Sequence, residues 1–409
     1  MTVSRTVELE GHIIDSGMMG NCFGVVMDMG GEFEVEEFEV GRHKHAETYC
    51  RMRVMADTEE ELRAIVHELN QQGATVADPR DARLVAAPED GVVPVDFYST
   101  TNHPTFVRVD GQWLEVEDVE MDCALVVEES EDGDPRVRTK VLNAVEEGDL
   151  VVTGESGIRV EPPERPRNGG GSFGFMQGGV SSERPSASLI EEIADEMREV
   201  RENDGNVLAV CGPAIVHSGG RDALADLVRA GYVDALSAGN GFAVHDLERD
   251  LYGTSLGVDT ESLEHPRKGH KHHIYTISEI VRLGGIPEAV EEDVVDEGVM
   301  YECVENDVPY VLAGSIRDDG PLPDTITDAI EAQNAIREQA HEADLVLMLS
   351  TLLHSVAVGN CLPSTTKTVC VDINPATVTQ LLDRGSAQAI GMVTDIGTFI
   401  PMLRDELLE

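Results

Sequence analysis

The sequence predicts an α/β protein: a C-terminal parallel sheet with helices on both faces, preceded by a smaller α+β and strand-rich N-terminal module. Three observations predict it. From residue 188 onward, short apolar runs alternate with stretches of helical periodicity, the pattern of parallel strands joined by crossover helices. Before about residue 165, apolar residues instead alternate with period two, and one amphipathic helix stands out. Between the two lies a stretch rich in glycine and poor in branched apolar residues, including Gly169-Gly170-Gly171 and Gly178-Gly179. It reads as a hinge. The expected organisation is therefore an α+β module over 1–105, a strand-rich extension over 106–166, a linker over 167–187 and a nucleotide-binding α/β domain over 188–409.

Taken in order, Thr6 to Ile14 alternates as a strand, Cys22 to Met29 reads as a second, and Phe33 to Val40 as a third with acidic residues facing outward. Tyr49 to Met55 is the next strand. Asp57-Thr58-Glu59-Glu60 then starts a helix running to about Asn70, with Leu62, Ile65, Val66 and Leu69 as its apolar stripe. In the extension, Asp110-Gly111 between Val109 and Gln112 marks a hairpin turn. Glu128 to Pro135 reads as an acidic loop. A long helix opens at Ser188 with Leu189, Ile190, Ile193 and Met197 on one face. Strands at Val207–Cys211, Ala235–Leu236, Pro309–Ala313, Leu345–Leu349 and Thr368–Ile373 follow, separated by helices at Arg221–Ala230, Phe242–Tyr252 and Ile326–His341, with a last predicted helix at Ala376–Arg384.

Composition narrows the function. The 409 residues include 78 Asp plus Glu against 30 Lys plus Arg, a formal charge of −48. Such an excess repels nucleic acid and anionic membrane, so neither is expected as a partner. With 41% apolar residues the chain is not a disordered polyanion. An acidic, solvated surface suits a very salty cytoplasm, where screening shortens the reach of self-repulsion. The seven cysteines contain no C-x-x-C and are odd in number, which points to reduced, buried thiols. No basic-plus-apolar leader opens the chain and no apolar run reaches membrane-spanning length. The expected location is cytoplasmic.

Two pieces of the C-terminal half suggest a nucleotide site. Val207–Cys211 runs into Gly212-Pro213-Ala214-Ile215-Val216-His217-Ser218-Gly219-Gly220 and then a helix, a strand, glycine turn and helix start that can cradle phosphate. Leu345–Leu349 is followed by the turn Ser350-Thr351, and the next strand ends at Asp372, an acid placed to hold ribose hydroxyls. There is no G-x-G-x-x-G after a strand, and Asp372 lies far from the glycine turn, so the usual dinucleotide fingerprint is missing. The order of these pieces resembles the sheet of sirtuins and deoxyhypusine synthase.

Chemistry-bearing residues fall in few places. Only five lysines occur, and three sit in two basic islands, Gly41-Arg42-His43-Lys44-His45 and Pro266-Arg267-Lys268-Gly269-His270-Lys271-His272-His273. Each is a local positive spot suited to a carboxylate or phosphate. The histidines of the second lack the spacing of a helical metal pair, so no metal is expected. Asn240 sits at a strand tip, and His245 and Asp246 follow on the helix as candidate proton-transfer groups, although packing against the sheet is the commoner fate of such a histidine. Gly314-Ser315-Ile316-Arg317-Asp318-Asp319-Gly320-Pro321 is a charged loop at the sheet's carboxyl edge.

These motifs resemble a family. Leu9-Glu10-Gly11-His12, Thr101-Asn102-His103-Pro104-Thr105, Val119-Glu120-Met121-Asp122-Cys123, Ala243-Val244-His245-Asp246, Gly253-Thr254-Ser255-Leu256-Gly257, the run from Ala313 to Pro323, and Leu353-His354-Ser355-Val356-Ala357-Val358-Gly359-Asn360 are similar to the archaeal NAD-dependent ornithine cyclodeaminases. The N-terminal module of that family carries the region named after lysine-ketoglutarate reductase and saccharopine dehydrogenase. The resemblance covers nearly the whole chain and implies an enzyme that converts L-ornithine to L-proline and ammonia, with NAD taking and returning the Cα hydride. It implies Asp246, His245 and Asp318 as catalytic groups, and Arg42, Lys44, Asn102 and His103 as substrate-binding groups. It places the cofactor at Asn240, Gly241, Asp319, Thr351, Leu352, Leu353, His354, Asp372 and Asp395. By analogy, the small-molecule substrate is an amino acid and the protein a homo-oligomer. Two alternatives stay open: another NAD-dependent amino-acid dehydrogenase or imine-forming enzyme on the same scaffold, and an NAD-binding regulatory protein without turnover.

Overall fold

A computed structural model describes residues 3–14, 17–41, 48–77, 80–130, 133–161, 186–259, 271–384 and 389–408. The chain divides into two compact units, residues 1–171 with 363–365, and residues 172–362 with 366–409. Most of the glycine-rich stretch falls outside the described residues.

The first unit holds two sheets. One is four-stranded and antiparallel, in the order Glu32–Glu39, Thr48–Ala56, Val3–Gly11, Thr75–Val76. Cys50, Met52, Val54 and Ala56 alternate into a core with Val7, Leu9, Leu62, Ile65, Val66 and Leu69. The helix Glu59–Gln71 begins as its sequence implies: the Thr58 hydroxyl accepts from the Glu61 N–H at 3.2 Å, and the Glu61 carboxylate accepts from the Thr58 N–H at 3.1 Å. The expected strand from Cys22 to Met29 is instead part of the helix Met18–Asp28. Its Val-Val pair suggests β structure, but the buried residues are Cys22 and Val26, four apart on one helical face, and that periodicity prevails.

The second sheet has seven strands, in the order Ile158–Val160, Thr105–Val109, Gln112–Glu117, Pro135–Lys140, Ala124–Glu129, Leu150–Thr153, Arg83–Ala86. The hairpin at Asp110-Gly111 forms as expected, with φ of 49° and 82° at the two turn residues, as a type I′ turn requires.

The second unit is built on seven parallel strands, in the order Thr325–Ile326, Tyr310–Ala313, Ala235–Gly239, Val207–Cys211, Leu345–Leu349, Lys367–Asp372, Ala389–Val393. The strands of Val207–Cys211 and Leu345–Leu349 are buried along their whole length, as a sheet covered on both faces demands. Counted along the chain, the first strand is central, three follow on one side and three on the other: a doubly wound, Rossmann-like order with one short extra edge strand. The missing glycine fingerprint therefore did not exclude the topology, because the winding follows from the strand–helix alternation and not from phosphate-binding residues. Ile326, expected to open a helix, instead ends that extra edge strand, Thr325–Ile326; the helix starts at Ala329, where the Asp328 carboxylate accepts from the N–H groups of Ile330 and Glu331. All seven cysteines are buried thiols, and burial pushes Cys22 and Cys370 up to about 12. Among the described residues no helix is long and apolar enough to cross a membrane.

Candidate functional site

In a doubly wound sheet the ligand crevice opens where the winding reverses, outside the carboxyl ends of the two strands that flank the reversal. Here those strands end at Cys211 and Leu349. The turns that follow touch each other: the Gly212 N–H donates to the Leu349 carbonyl at 2.9 Å, and a Cβ at Gly212 would collide with the Ser350 carbonyl oxygen. Only glycine permits this approach. Ser350 itself has φ of 50°, with its N–H bonded to the Val371 carbonyl at 2.8 Å and its hydroxyl buried with no partner among the described residues. The neighbouring Ser355 hydroxyl is also buried with no partner among the described residues. Buried, unsatisfied hydroxyls at a crevice are groups that a polar ligand can satisfy.

The expected cofactor residues gather on this edge of the second unit. Leu352 and Leu353 are exposed at the start of the helix Leu353–Cys361, and Ile373 is exposed just past the adjacent strand. They present apolar surface beside the crevice. Asp372 ends that strand; its Oδ1 accepts from the Asn374 N–H at 2.7 Å, which leaves Oδ2 for a ligand. Thr351 is half-buried between Ser350 and Leu352. His354 Nε2 lies 2.8 Å from the Ser237 hydroxyl, and burial lowers its imidazole to about 4, so it is neutral at ordinary pH. Asp395 is exposed at the mouth of the helix Ile396–Leu408, bonded to the Thr398 hydroxyl at 3.3 Å. Gly397, at the start of this helix, comes so close to Ser218 of the glycine turn that no Cβ would fit. This geometry fits a dinucleotide: a tight glycine approach, a strand-end acid, helix starts and apolar platforms on one edge.

Asn240 is buried and works differently from the expectation of a ligand amide. Its Oδ1 accepts from the Leu322 N–H at 3.0 Å and the Thr325 hydroxyl at 2.9 Å, and its Nδ2 donates to the Gly320 carbonyl at 3.3 Å, so it ties down the end of the charged loop. Above Gly241, by contrast, there is open space. In the loop, Asp318 accepts from the Ser315 N–H at 2.7 Å and hydroxyl at 3.1 Å, and the exposed Asp319 lies 3.4 Å from His273 Nε2.

A connected polar group lies beside the glycine turn. His245, on the helix Asn240–Tyr252, places Nδ1 3.0 Å from Glu248 Oε2. Glu248 is fully buried and also accepts from the Thr254 hydroxyl at 2.8 Å and from the N–H groups of Leu256 at 3.1 Å and Gly257 at 2.8 Å. Burial alone would raise this carboxyl; the bonds from His245, Gly257 and Thr254 outweigh it and hold it below the usual range. His217, at the end of the short helix after Gly212-Pro213, stands edge-on to His245 with ring centroids 4.9 Å apart and bonds the Ser255 hydroxyl at 2.6 Å. Burial, and then the neighbouring His245, lower His217 to about 4. With the Glu248 carboxylate accepting from Nδ1–H, Nε2 is the His245 nitrogen left to exchange a proton with a ligand. Sequence reasoning singled out His245 but missed Glu248, His217 and Ser255 as its neighbours. Glu248 stood three residues on, one helical turn away, and that spacing was the available signal.

Asp246 faces the other way. It is fully buried, receives Arg221 Nε at 2.7 Å, and accepts from the N–H groups of Val299 at 3.2 Å and Met300 at 2.8 Å. This is the geometry of an internal ion pair. Next to it, burial lifts the Asp250 carboxyl to about 7, against the pull of the Asp296 N–H and Arg221. The sign follows: a carboxyl raised in the folded state favours folding at low pH and loses that contribution as pH rises through about 7. Asp250→Asn should therefore gain roughly 1–2 kcal/mol at pH 8 and little at pH 5. Denaturant titrations at the two pH values check it; equal effects at both would refute it.

In the first unit, His103 Nδ1 lies 2.9 Å from the Ser364 hydroxyl and the Ser364 N–H donates to the Asn102 carbonyl at 2.7 Å. Burial lowers the His103 imidazole, and Asn102 is 9% exposed. Arg42 and Lys44 lie outside the described residues, as does most of the second basic island.

Comparison with known proteins matches this chain along its length. Residues 4–103 match the model of the LOR/SDH bifunctional enzyme conserved region, 104–190 that of the first C-terminal region of ArgZ-like arginine dihydrolases, and 191–403 that of their C-terminal Rossmann fold. An ornithine cyclodeaminase of Methanopyrus kandleri is 54% identical over 98% of this chain and 97% of its own. The bifunctional arginine dihydrolase/ornithine cyclodeaminase AgrE of Nostoc sp. is 43% identical over 99% of this chain, which corresponds to 58% of that protein. Its ternary complex with ornithine and NAD+ matches at a TM-score of 0.54 and 41% identity, covering 99% of this chain and 57% of that one. The apo structure of the cyanobacterial arginine dihydrolase ArgZ matches at a TM-score of 0.86 and 40% identity, over 99% of this chain and 58% of that one.

Proposed function

Because this chain belongs to the ornithine cyclodeaminase family of the LOR/SDH type, we propose that it converts L-ornithine to L-proline and ammonia with NAD held at the sheet reversal of its second unit. The observation that carries this reading is the crevice at Gly212 and Ser350, with the His245–Glu248 pair on the same edge of the sheet. NAD, when bound, supplies the acceptor and the later donor of the Cα hydride.

The residues divide the remaining work. Gly212 would let the backbone approach the pyrophosphate, Asp372 would hold ribose hydroxyls, and Leu352, Leu353 and Ile373 would offer apolar surface to the adenine. Gly241 leaves room for the reacting end. His245 Nε2 takes the proton that the α-ammonium must lose and returns it to the departing ammonia, while Glu248 keeps Nδ1 protonated and supports the imidazolium that forms. His217 is neutral above about pH 5 and so adds no charge beside that imidazolium. Asn102, His103, Arg42 and Lys44 are the substrate-binding groups of this reading, Asp318 balances the δ-ammonium, and Asp319 belongs with the cofactor-binding residues. Asn240, Thr351, His354 and Asp395 frame the crevice.

The test is incubation of purified protein with L-ornithine and catalytic NAD+ in molar salt, with proline and ammonia assayed. Proline without accumulated NADH supports the reading; stoichiometric NADH places the chain among the dehydrogenases instead. Asp372→Ala is expected to weaken NAD binding about tenfold, since one charge-assisted bond to the ribose is lost. Unchanged affinity by calorimetry would remove Asp372 from the site.

The acidic exterior, the cytoplasmic location and assembly into a homo-oligomer belong to the same proposal. At 1 M salt the screening length is about 3 Å, against about 30 Å at 0.01 M. A surplus of 48 negative charges repels itself far more in dilute buffer. The melting temperature is therefore expected to fall by tens of degrees on dialysis out of molar salt, and a salt-independent melt would count against adaptation to a salty cytoplasm.

A further inference from the structure

We infer that the first unit carries a small-molecule site of its own: a cleft that binds a free α-amino acid, with its carboxylate at Arg80 and Arg159 and its ammonium at Glu8. The cleft has a volume of about 180 Å³, below the range of cofactor pockets and suited to a single small metabolite. It goes beyond the cyclodeaminase reading and does not rest on it; none of the residues assigned above to ornithine or NAD lines it.

Charge singles the cleft out. In a chain with 78 acidic and 30 basic side chains, most arginines are occupied by carboxylates. Arg80 is exposed and has no partner among the described residues. Arg159 is half-buried, stacked over the Phe106 ring at 4.5 Å and near the Trp113 ring at 5.2 Å, with Glu161 at 3.1 Å from its Nε. Aromatic stacking fixes its guanidinium plane, and the ion pair to Glu161 engages the Nε side. Two guanidinium groups in one concavity, one held in plane and one without a partner among the described residues, form a carboxylate clamp.

The rest of the wall completes the complement of a zwitterion. Glu8 lies in the same cleft, kept in place by the Tyr49 hydroxyl at 2.7 Å and Arg51 at 3.4 Å. Thr75 and Ser156 add hydroxyls, and Val76, Ile158 and Trp113 add apolar surface for a side chain. The floor is rigid: Gly157 has φ of 75°, and a Cβ there would strike the backbone of Arg80 and Ala82. A simple anion would meet the clamp but also the Glu8 carboxylate, which repels it. An α-amino acid satisfies both ends.

Trp113 is the only tryptophan in the chain, so its emission reports on this cleft alone. Wild-type protein and Arg80→Gln, a change at an exposed side chain, are titrated at fixed molar salt with L-alanine, L-proline and L-leucine, and with acetate as a carboxylate lacking the ammonium. Expected is a saturable change in emission with at least one amino acid, about tenfold weaker in Arg80→Gln, and weaker still for acetate. The inference is overturned by no saturable change with any amino acid, by equal affinity in wild type and variant, or by acetate binding as well as the amino acids.

Discussion

Replacing Arg221 with alanine is expected to destabilise the second unit by roughly 3–5 kcal/mol, a large part of a domain's total stability. Arg221 is 1% exposed, and its guanidinium bonds Asp246 Oδ1 at 2.7 Å, the Glu297 carboxylate at 2.9 Å and the Glu297 carbonyl at 2.8 Å. Removing it strands a fully buried carboxylate against apolar neighbours, the costly half of breaking an internal ion pair. Because Asp246 also accepts from the N–H groups of Val299 and Met300, the pair joins three helices: Arg221–Arg229, Asn240–Tyr252 and Val299–Glu305. Asp246→Asn keeps acceptor capacity but loses the charge, and is expected to be less damaging. Denaturant midpoints of wild type and both variants in molar salt measure this order. The same variants decide the role of Asp246: a loss of stability with kcat retained in the folded fraction makes it structural, whereas lost turnover at full stability restores it to catalysis.

How much of this was legible beforehand depends on how local the cause is. The parallel sheet, the Thr58 capping box and the Asp110-Gly111 turn follow from neighbours within a few residues, and each formed as its residues imply. The helix Met18–Asp28 was misread because Phe23, Val25 and Val26 favour a strand locally, while burial of Cys22 and Val26 is set by the sheet they pack on. The same limit governs the site. The strand-end positions of Gly212 and Asp372 could be read because the strand–helix alternation fixes them. Asn240 and Asp246 have residue types suited to a ligand, yet their partners, Leu322 and Thr325 for one and Arg221 for the other, lie 25 to 85 positions away and no short motif records them. The tie between Thr254 and Glu248 was closer, six residues apart, but it needed the turn at Gly253 to fold back.

His245→Gln is expected to lower kcat by 10²–10⁴-fold while changing KM for ornithine only a few-fold. Glutamine can keep a hydrogen bond toward Glu248, so the buried carboxylate retains its other three bonds, from Thr254, Leu256 and Gly257, and the fold is preserved. What disappears is an imidazole whose Nδ1 lies 3.0 Å from a buried carboxylate, which supports the positive charge the ring gains on taking a proton. The other nearby imidazole cannot substitute fully: at about 4, His217 is too weak a base to take a proton from an ammonium group at neutral pH. His217→Gln should therefore have a smaller effect on kcat than His245→Gln, and NAD affinity should be unchanged in both. Rapid mixing of each variant with ornithine and NAD+ separates the steps, because loss of the base slows the first appearance of reduced nicotinamide along with proline formation. A His245→Gln enzyme that reduces NAD at the wild-type rate would show that the proton leaves the α-ammonium by another route.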